Sequence, residues 1–371
     1  MKTTRTALHI IHGYNEPFLS LSNQYSRALQ SDGWRVIAVY VSGAPDTTIR
    51  QKTIADEVIF FAADDAAMKG LKLPLIQRVR QLIKSHTPTL IIAQRYKPLY
   101  LALLGSVGSD IPVIGVAHAF GVLKNTARRC LLRCFRQRLL LLGVSEAVTN
   151  DLRKDDKALN KQALLNCIDA ETLEQRLLPR AAAREKLQLR DDEFVFANVG
   201  RLHDDKDQST LIRAFARIAS TAPQAKLLLI GKGKREARYR ALIAELQLPD
   251  RILLTGPVPD ANTLFPAFDC YVSASDREPF GIVLTEAMLA RVPVISTDCG
   301  GAPEVLGEHA LYFSCGDDKT LAEKMLQVLQ QTPEQSRQQG EQLYRRLQQQ
   351  FAFVPFRERL LSVVNNRVTR S

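Results

Sequence analysis

The chain has 371 residues, 46% of them hydrophobic, with 50 Lys and Arg against 39 Asp and Glu for a net charge of +11. That is enough for two domains of a soluble globular protein, and no stretch approaches the roughly 20 apolar residues of a membrane span. The basic balance favours phosphate-rich partners, whether nucleic acid, anionic membrane or a phosphorylated substrate, without choosing among them.

The N-terminal MKTTRTALHIIHGYN lacks the long apolar core and small-residue cleavage site of a signal peptide. Ala7–Ile11 therefore reads as a first buried strand and the protein as cytoplasmic. Apolar runs then alternate with amphipathic segments. Strands are predicted at Ala7–His12, Arg35–Val41, Glu57–Phe61, Thr89–Ala93, Pro112–Ala117 and Leu139–Val144, with helices such as Leu19–Asp32 and Leu75–Ser85. This alternation argues for a parallel sheet covered by helices on both faces. Residues 169–189 are polar and charged and read as a break. The alternation then restarts, with strands at Glu193–Val199, Ala225–Ile230, Ile252–Thr255, Cys270–Ser273, Pro293–Ser296 and Ala310–Phe313, and helices such as Gln208–Ala219 and Tyr239–Leu246. The glutamine-rich tail from Leu321 to Asn366 keeps an apolar period and reads as helical. The expected architecture is α/β, two doubly wound Rossmann-like domains, residues 1–178 and 179–371, with the last helix crossing back to the first domain. Ligands of such folds bind in crevices at the carboxyl ends of the strands. The six cysteines have no zinc-ribbon spacing and read as buried or idle thiols; Cys130 and Cys134 fall on one helical face.

The most informative stretch is SDREPFGIVLTEAMLARVPVISTDCGGAPEVL. Pro279 precedes an apolar-periodic helix, and the amides of Gly281, Ile282 and Val283 would face outward at its positive end, a natural phosphate site. Glu278 lies just before that helix and Glu286 inside it. One carboxylate suits a sugar and the other ribose hydroxyls, because ionised carboxylates are pure acceptors. Alone, the pair reads equally as acids favourable to a helix dipole. FANVGRLHDDKD adds a strand followed by Gly200, Arg201 and Lys206, cations placed to clamp a diphosphate, though a solvated loop would look the same. In LLLIGKGKRE, Gly231 and Gly233 would let backbone approach a nucleotide. In TGPVPD, the Val258 amide and carbonyl could meet a base edge, or simply turn the chain.

Jointly these residues resemble the retaining glycosyltransferases of family 4, which have the GT-B fold. Glu278-Pro-Phe-Gly-Ile-Val-Leu-Thr-Glu286 matches the family's E-x7-E motif, Arg201 and Lys206 its diphosphate pair, and Asp298–Glu304 the loop after the next strand. The resemblance implies that Glu286 binds the ribose, Glu278 contacts the donor sugar, and Arg201 and Lys206 stabilise the leaving phosphate. It also implies that the first half binds the acceptor. Gly13, after the first strand, corresponds to a glycine-rich loop that touches donor phosphate or acceptor, with Asn15 and Glu16 as weaker candidates. His118, at the end of PVIGVA, corresponds to a histidine that meets the donor sugar. Ser145 as an N-cap and Asn166 match further landmarks, although Cys167 stands where a glycine is usual.

Residues 122–138 carry Lys124, Arg128, Arg129, Arg133, Arg136 and Arg138 interleaved with Leu131, Leu132 and Phe135. Such a helix can lie on the anionic inner-membrane surface, hold a phosphorylated acceptor, or merely be a solvated face. The expectation is a cytoplasmic, peripheral-membrane transferase that uses a nucleotide-sugar co-substrate, UDP-sugar first, and no cofactor. Its acceptor would be a glycan or glycolipid, lipopolysaccharide core before another cell-surface polysaccharide. Asp205-Lys-Asp207 spells a D-x-D metal motif but sits inside the phosphate clamp, so no metal is expected. A sugar-nucleotide epimerase of the same fold is the alternative. A nucleic-acid binder explains the charge, but no binding module is recognisable.

Overall fold

The computed structural model describes residues 5–369. The chain divides into two compact units, Met1–Ile168 with Phe353–Ser371, and Asp169–Ala352.

In the first unit, β1 (Thr6–Ile11), α1 (Phe18–Gln30), β2 (Arg35–Ser42), α2 (Thr47–Lys52), β3 (Glu57–Ala63), α3 (Leu73–His86), β4 (Leu90–Gln94), α4 (Tyr96–Gly105), β5 (Val113–Ala117), α5 (Thr126–Cys134), β6 (Leu139–Gly143), α6 (Glu146–Asp155) and β7 (Lys161–Ala163) follow in turn. The strands form one parallel sheet in the order β3-β2-β1-β4-β5-β6-β7. Parallel strands covered on both faces need near-continuous apolar runs, and β1, β4 and β5 are buried along their whole length. Strand order reverses between β1 and β4, so the loops leaving these neighbours diverge and open a crevice at their carboxyl ends.

In the second unit the elements are α7 (Ala170–Arg176), α8 (Arg180–Lys186), β8 (Phe194–Val199), α9 (Gln208–Ile218), β9 (Ala225–Ile230), α10 (Glu236–Glu245), β10 (Ile252–Gly256), β11 (Cys270–Ser273), α11 (Ile282–Leu289), β12 (Val294–Thr297), α12 (Ala302–Leu306), β13 (Leu311–Phe313), α13 (Asp318–Leu329) and α14 (Pro333–Gln350). Its parallel sheet runs β10-β9-β8-β11-β12-β13, and here the reversal lies between β8 and β11. The last helix, α15 (Phe353–Val368), packs in the first unit. Phe356 meets the Tyr25 ring edge-on at 5.0 Å, and the Arg27 guanidinium lies 4.1 Å over Phe353.

The structure moves the boundary expected at 178/179 to 168/169, and the polar break proves to be two helices. Asp169 caps α7 by accepting from the Thr172 amide. The Leu178 amide then donates to the Thr263 carbonyl, and Arg176 pairs with Asp260 at 2.8 Å, so the segment is stitched to the second unit. Arg184 in α8 is fully buried. Its guanidinium donates to the carbonyls of Ala267, Arg190 and Glu193 and pairs with Asp269 at 3.4 Å. A charged residue in a polar-looking stretch is thus the anchor of that stretch. Removing it leaves three carbonyls and a carboxylate short of a donor. Arg184→Ala should cost roughly 3–5 kcal/mol, read as a lowered urea midpoint; an unchanged midpoint would reject the anchoring role.

Candidate functional site

The reversal between β8 and β11 brings together the two stretches singled out in the second unit. The loop after β8 carries Arg201 and Lys206, and the loop after β11 carries Glu278. The Asp276 amide donates to the Asp205 carbonyl, joining the loops. Lys206 Nζ lies 2.6 Å from Glu278 Oε2, with the lysine side chain 20% exposed and the glutamate 12%. Ser275 Oγ also reaches that carboxylate oxygen, at 3.3 Å. The Glu278 main chain is held from behind. Gly301 donates its amide to the Glu278 carbonyl at 2.7 Å, and a Cβ on Gly300, whose φ is +62°, would run into that carbonyl. Thr297 Oγ1 ties the end of β12 to the Ser275 carbonyl at 2.6 Å.

Helix α11 opens at Ile282, with Gly281 as its N-cap at φ +93°. Pro279 lies just ahead of the helix, as expected, and the left-handed glycine makes the turn into it. Leu284 and Thr285 donate back to the Gly281 carbonyl, while the Gly281, Ile282 and Val283 amides have no protein partner among the described residues. Glu286 is half-buried on the next turn. Tyr271 in β11 lies near both glutamates. Burial, then the charges of Glu278 and Glu286, push its phenol well above the ordinary tyrosine range. The two carboxylates therefore share one electrostatic neighbourhood.

Other residues singled out in this unit have partners within the fold. Arg201 is 71% exposed and pairs with Asp205 at 3.2 Å. Gly231 and Gly233 serve packing: a Cβ on either would strike the Gly200 or Leu202 carbonyl of the loop after β8. The Gly200 amide donates to the Ile230 carbonyl and the Leu202 amide to the Lys232 carbonyl, so the pair shapes the loop that carries Arg201. Asp205 and Asp207 do not act as a pair. Asp205 meets Arg201 and His203, whereas Asp207 caps α9 through the Thr210 amide and hydroxyl. Val258, after β10, keeps its amide and carbonyl without a partner among the described residues, as base-edge contact requires.

Two of the cysteines expected to be idle thiols, Cys299 and Cys315, form a disulfide beside Asp298. A disulfide has no thiolate to offer a metal. Cys130 and Cys134 are exposed and Cys167 and Cys270 buried.

In the first unit, Gly13 lines the crevice between β1 and β4, and His118, after β5, adjoins it through Gln94 and Phe18. A cavity of about 260 Å³ there is lined by His12, Gly13, Asn15, Glu16, Ser42, Gln94 and Arg95 among others. His12 Nδ1 is buried without a partner. His118, at the end of β5, is held by a chain of buried side chains that sequence reading missed. Gln94 Nε2 donates to His9 Nε2 at 3.0 Å, which leaves the His9 proton on Nδ1, 3.1 Å from Ser26 Oγ. Gln94 Oε1 then accepts from His118 Nε2 at 2.7 Å, so His118 presents Nδ1 as an acceptor. The only sequence signal was a polar Gln-Arg pair directly after the apolar run of β4.

Burial pushes the His9 ring down from 6.5 to about 3, and burial with the nearby Arg95 charge does the same to His118. Both rings are neutral in the folded protein near neutral pH. Their contribution to stability is therefore full above pH 6.5 and is lost as pH falls toward 3, by about 1.4 kcal/mol per pH unit for each ring. Urea midpoints of His9→Gln should fall less steeply with acid than those of the unsubstituted protein; equal slopes would reject this.

Residues 23–169 match the family described as Glycosyltransferase Family 4, and residues 179–346 match Glycosyl transferases group 1. The N-acetyl-alpha-D-glucosaminyl L-malate synthase of Bacillus anthracis is 30% identical over 249 residues, 66% of this chain and 62% of that protein. A Campylobacter jejuni N-acetylgalactosaminyltransferase that acts on a diphospho-undecaprenol-linked sugar is 32% identical over 46% of this chain and 44% of its own length. The matches thus span less than two thirds of these relatives. Among solved structures, a glycosyltransferase from Rickettsia africae superposes with a TM-score of 0.84 at 16% identity over 100% of both chains. Anabaena HepE, solved with UDP, gives 0.81 at 21% identity over 97% of this chain and 100% of that one. Both halves match, the sheets are wound alike and the E-x7-E glutamates stand at a strand-order reversal; the chain belongs to the family 4 glycosyltransferases and has the GT-B fold.

Proposed function

We propose that the protein transfers a sugar from a nucleotide-sugar donor to a hydroxyl of a glycan or glycolipid, with retention of anomeric configuration and without a metal ion. The observation that carries this reading is the Lys206–Glu278 contact of 2.6 Å beside the unpartnered amides that open α11. Lysine, exposed arginine and helix amides at one place supply positive potential for a diphosphate. Glu278 supplies an acceptor for a sugar hydroxyl next to it, Glu286 one for the ribose, and the Val258 backbone one donor and one acceptor for the base.

The chemistry follows from that polarity. The bond from anomeric carbon to diphosphate oxygen breaks, and Lys206, Arg201 and the amides of Gly281, Ile282 and Val283 hold the charge that develops on the leaving phosphate. The acceptor hydroxyl oxygen forms the new bond on the same face, and its proton passes to the departing phosphate oxygen. His118, neutral and with Nδ1 as an acceptor, suits a hydroxyl contact rather than proton transfer.

The HepE structures with UDP and with UDP-glucose support a UDP-sugar as the donor to try first. The relatives named for L-malate and for a diphospho-undecaprenol-linked sugar support an acceptor that carries negative charge. A bacterial surface glycan, lipopolysaccharide core first, fits that class. The basic segment 122–138 contains the helix α5, shorter than expected, and is proposed to meet anionic lipid at the cytoplasmic face of the inner membrane. No helix among the described residues is long and apolar enough to cross a membrane.

A thermal-shift panel of nucleoside diphosphates and their sugars tests the reading. At least one should raise the melting temperature, and Glu286→Ala should weaken that ligand by about tenfold to a hundredfold, the worth of hydrogen bonds to a charged group. No stabilisation by any of them, or an unweakened variant, would contradict the donor assignment.

A further inference from the structure

The positive charge of this chain is concentrated in one block. Residues 66–145 contain thirteen Lys and Arg and a single acid, Asp110, a net charge of +12 that exceeds the +11 of the whole chain. Some of these cations serve the fold. Arg78 donates to the Phe60 and Phe61 carbonyls, Arg133 pairs with Asp156, and Arg138 donates to Ser106, Ile111 and Leu103. Lys69, Lys72, Lys97, Lys124, Arg128 and Arg136 have no carboxylate partner among the described residues.

The same block exposes apolar side chains where such residues are normally covered. Among the described residues the exposed large hydrophobics are Leu71, Leu73, Val107 and Val354. Leu71 is 69% exposed and Leu73 59%, and they flank Lys72 at the start of α3. This tip is held in place. Tyr100 of α4 donates its hydroxyl to the Leu71 carbonyl at 3.1 Å, and Lys72 Nζ lies 4.9 Å over the Tyr100 ring. The surface continues along α4, where Tyr96 neighbours Tyr100 and Arg128 of α5 lies 4.3 Å over Tyr96. Leucine tip, tyrosines and basic helix thus form one strip on the first unit. The acids bordering it include Asp64 and Asp65, ahead of the tip, Asp110, Asp156, which pairs with Arg133, and Asp151, which accepts from the Gly121 amide.

We infer that this strip is a bilayer-docking surface in which Leu71 and Leu73 enter the acyl region of an anionic membrane while Lys69, Lys72, Lys97 and α5 engage its headgroups. The inference rests on the lipid-surface reading of residues 122–138 and adds the element that penetrates. Charge selects the partner: an apolar tip flanked by cations that no carboxylate neutralises is matched by apolar chains beneath negative headgroups, with tyrosines at the level between.

The full chain tests this in sedimentation with vesicles of phosphatidylglycerol and phosphatidylethanolamine, against phosphatidylcholine alone. Binding should require the anionic lipid, and Leu71→Asp with Leu73→Asp should weaken it by about tenfold or more at an unchanged unfolding midpoint, since both sites are exposed. Trp34 is the only tryptophan and is buried, so Leu73→Trp adds a reporter on a constant background. Its emission should shift to the blue on vesicle binding and be quenched by doxyl-labelled acyl chains. Vesicle binding with no blue shift, or undiminished binding of the double variant, would overturn insertion while leaving electrostatic docking. Failure to bind anionic vesicles, or capture instead by soluble polyphosphate, would overturn the lipid surface itself. Neither outcome touches donor binding, which nucleotide stabilisation reads separately.

Discussion

The second unit is organised around one contact, the ion pair of Lys206 and Glu278. Both side chains are mostly withdrawn from water, and a carboxylate so placed needs a cation and a donor beside it. The pair spans the reversal of strand order, so it exists only because β8 and β11 are neighbours whose following loops part company. Its surroundings are built to keep it. Ser275 adds a hydroxyl, Gly300 and Gly301 press the next loop against the Glu278 main chain, and Thr297 ties that loop's strand to Ser275. Gly231 and Gly233 serve the other side by letting the loop after β9 support the one that carries Lys206.

The first unit uses the equivalent place in its sheet for different chemistry. There the groups are neutral, with Ser26, His9 and Gln94 buried and His118 partly so. Ser26, His9, Gln94 and His118 form a hydrogen-bonded chain in which each ring has a set proton. Burial that would be costly for a cation keeps both imidazoles uncharged, so His118 is fit to accept a hydrogen bond and unfit to carry charge near neutral pH. The second unit thus centres on a charged pair and the first on a neutral imidazole chain, beside which Arg95 and Glu16 line the same cavity.

Much of this was legible from the residues. Strand positions came from continuous apolar runs and fell within a residue or two of those observed, because buried parallel strands leave a strong pattern. The placement of Glu278, Lys206, Gly281 and Glu286 around a strand end and a helix start was legible because their spacing is specific. The edge strand β7, three residues without a fully buried one, left no such pattern. Helices α7 and α8 read as linker because Arg184 looks like a surface residue until the carbonyls it satisfies are known. Gln94 and His9 escaped notice because each is a single polar residue in a strand, and their meaning lies in partners up to 85 positions away. The Cys299–Cys315 disulfide has no spacing signature either. The glycines after β9 were read toward a ligand, whereas the close approach they permit is to the protein's own backbone.

The central claim is that the Lys206–Glu278 pair and the amides of α11 form a diphosphate site. The most direct measurement is calorimetric titration of UDP against UMP, in the unsubstituted protein and in Lys206→Ala. The diphosphate should bind about tenfold or more tightly than the monophosphate, as a charge-assisted contact to a second phosphate implies, and the variant should lose most of that preference while still binding UMP. Equal affinity for the two nucleotides, or a preference that survives removal of Lys206, would contradict the account.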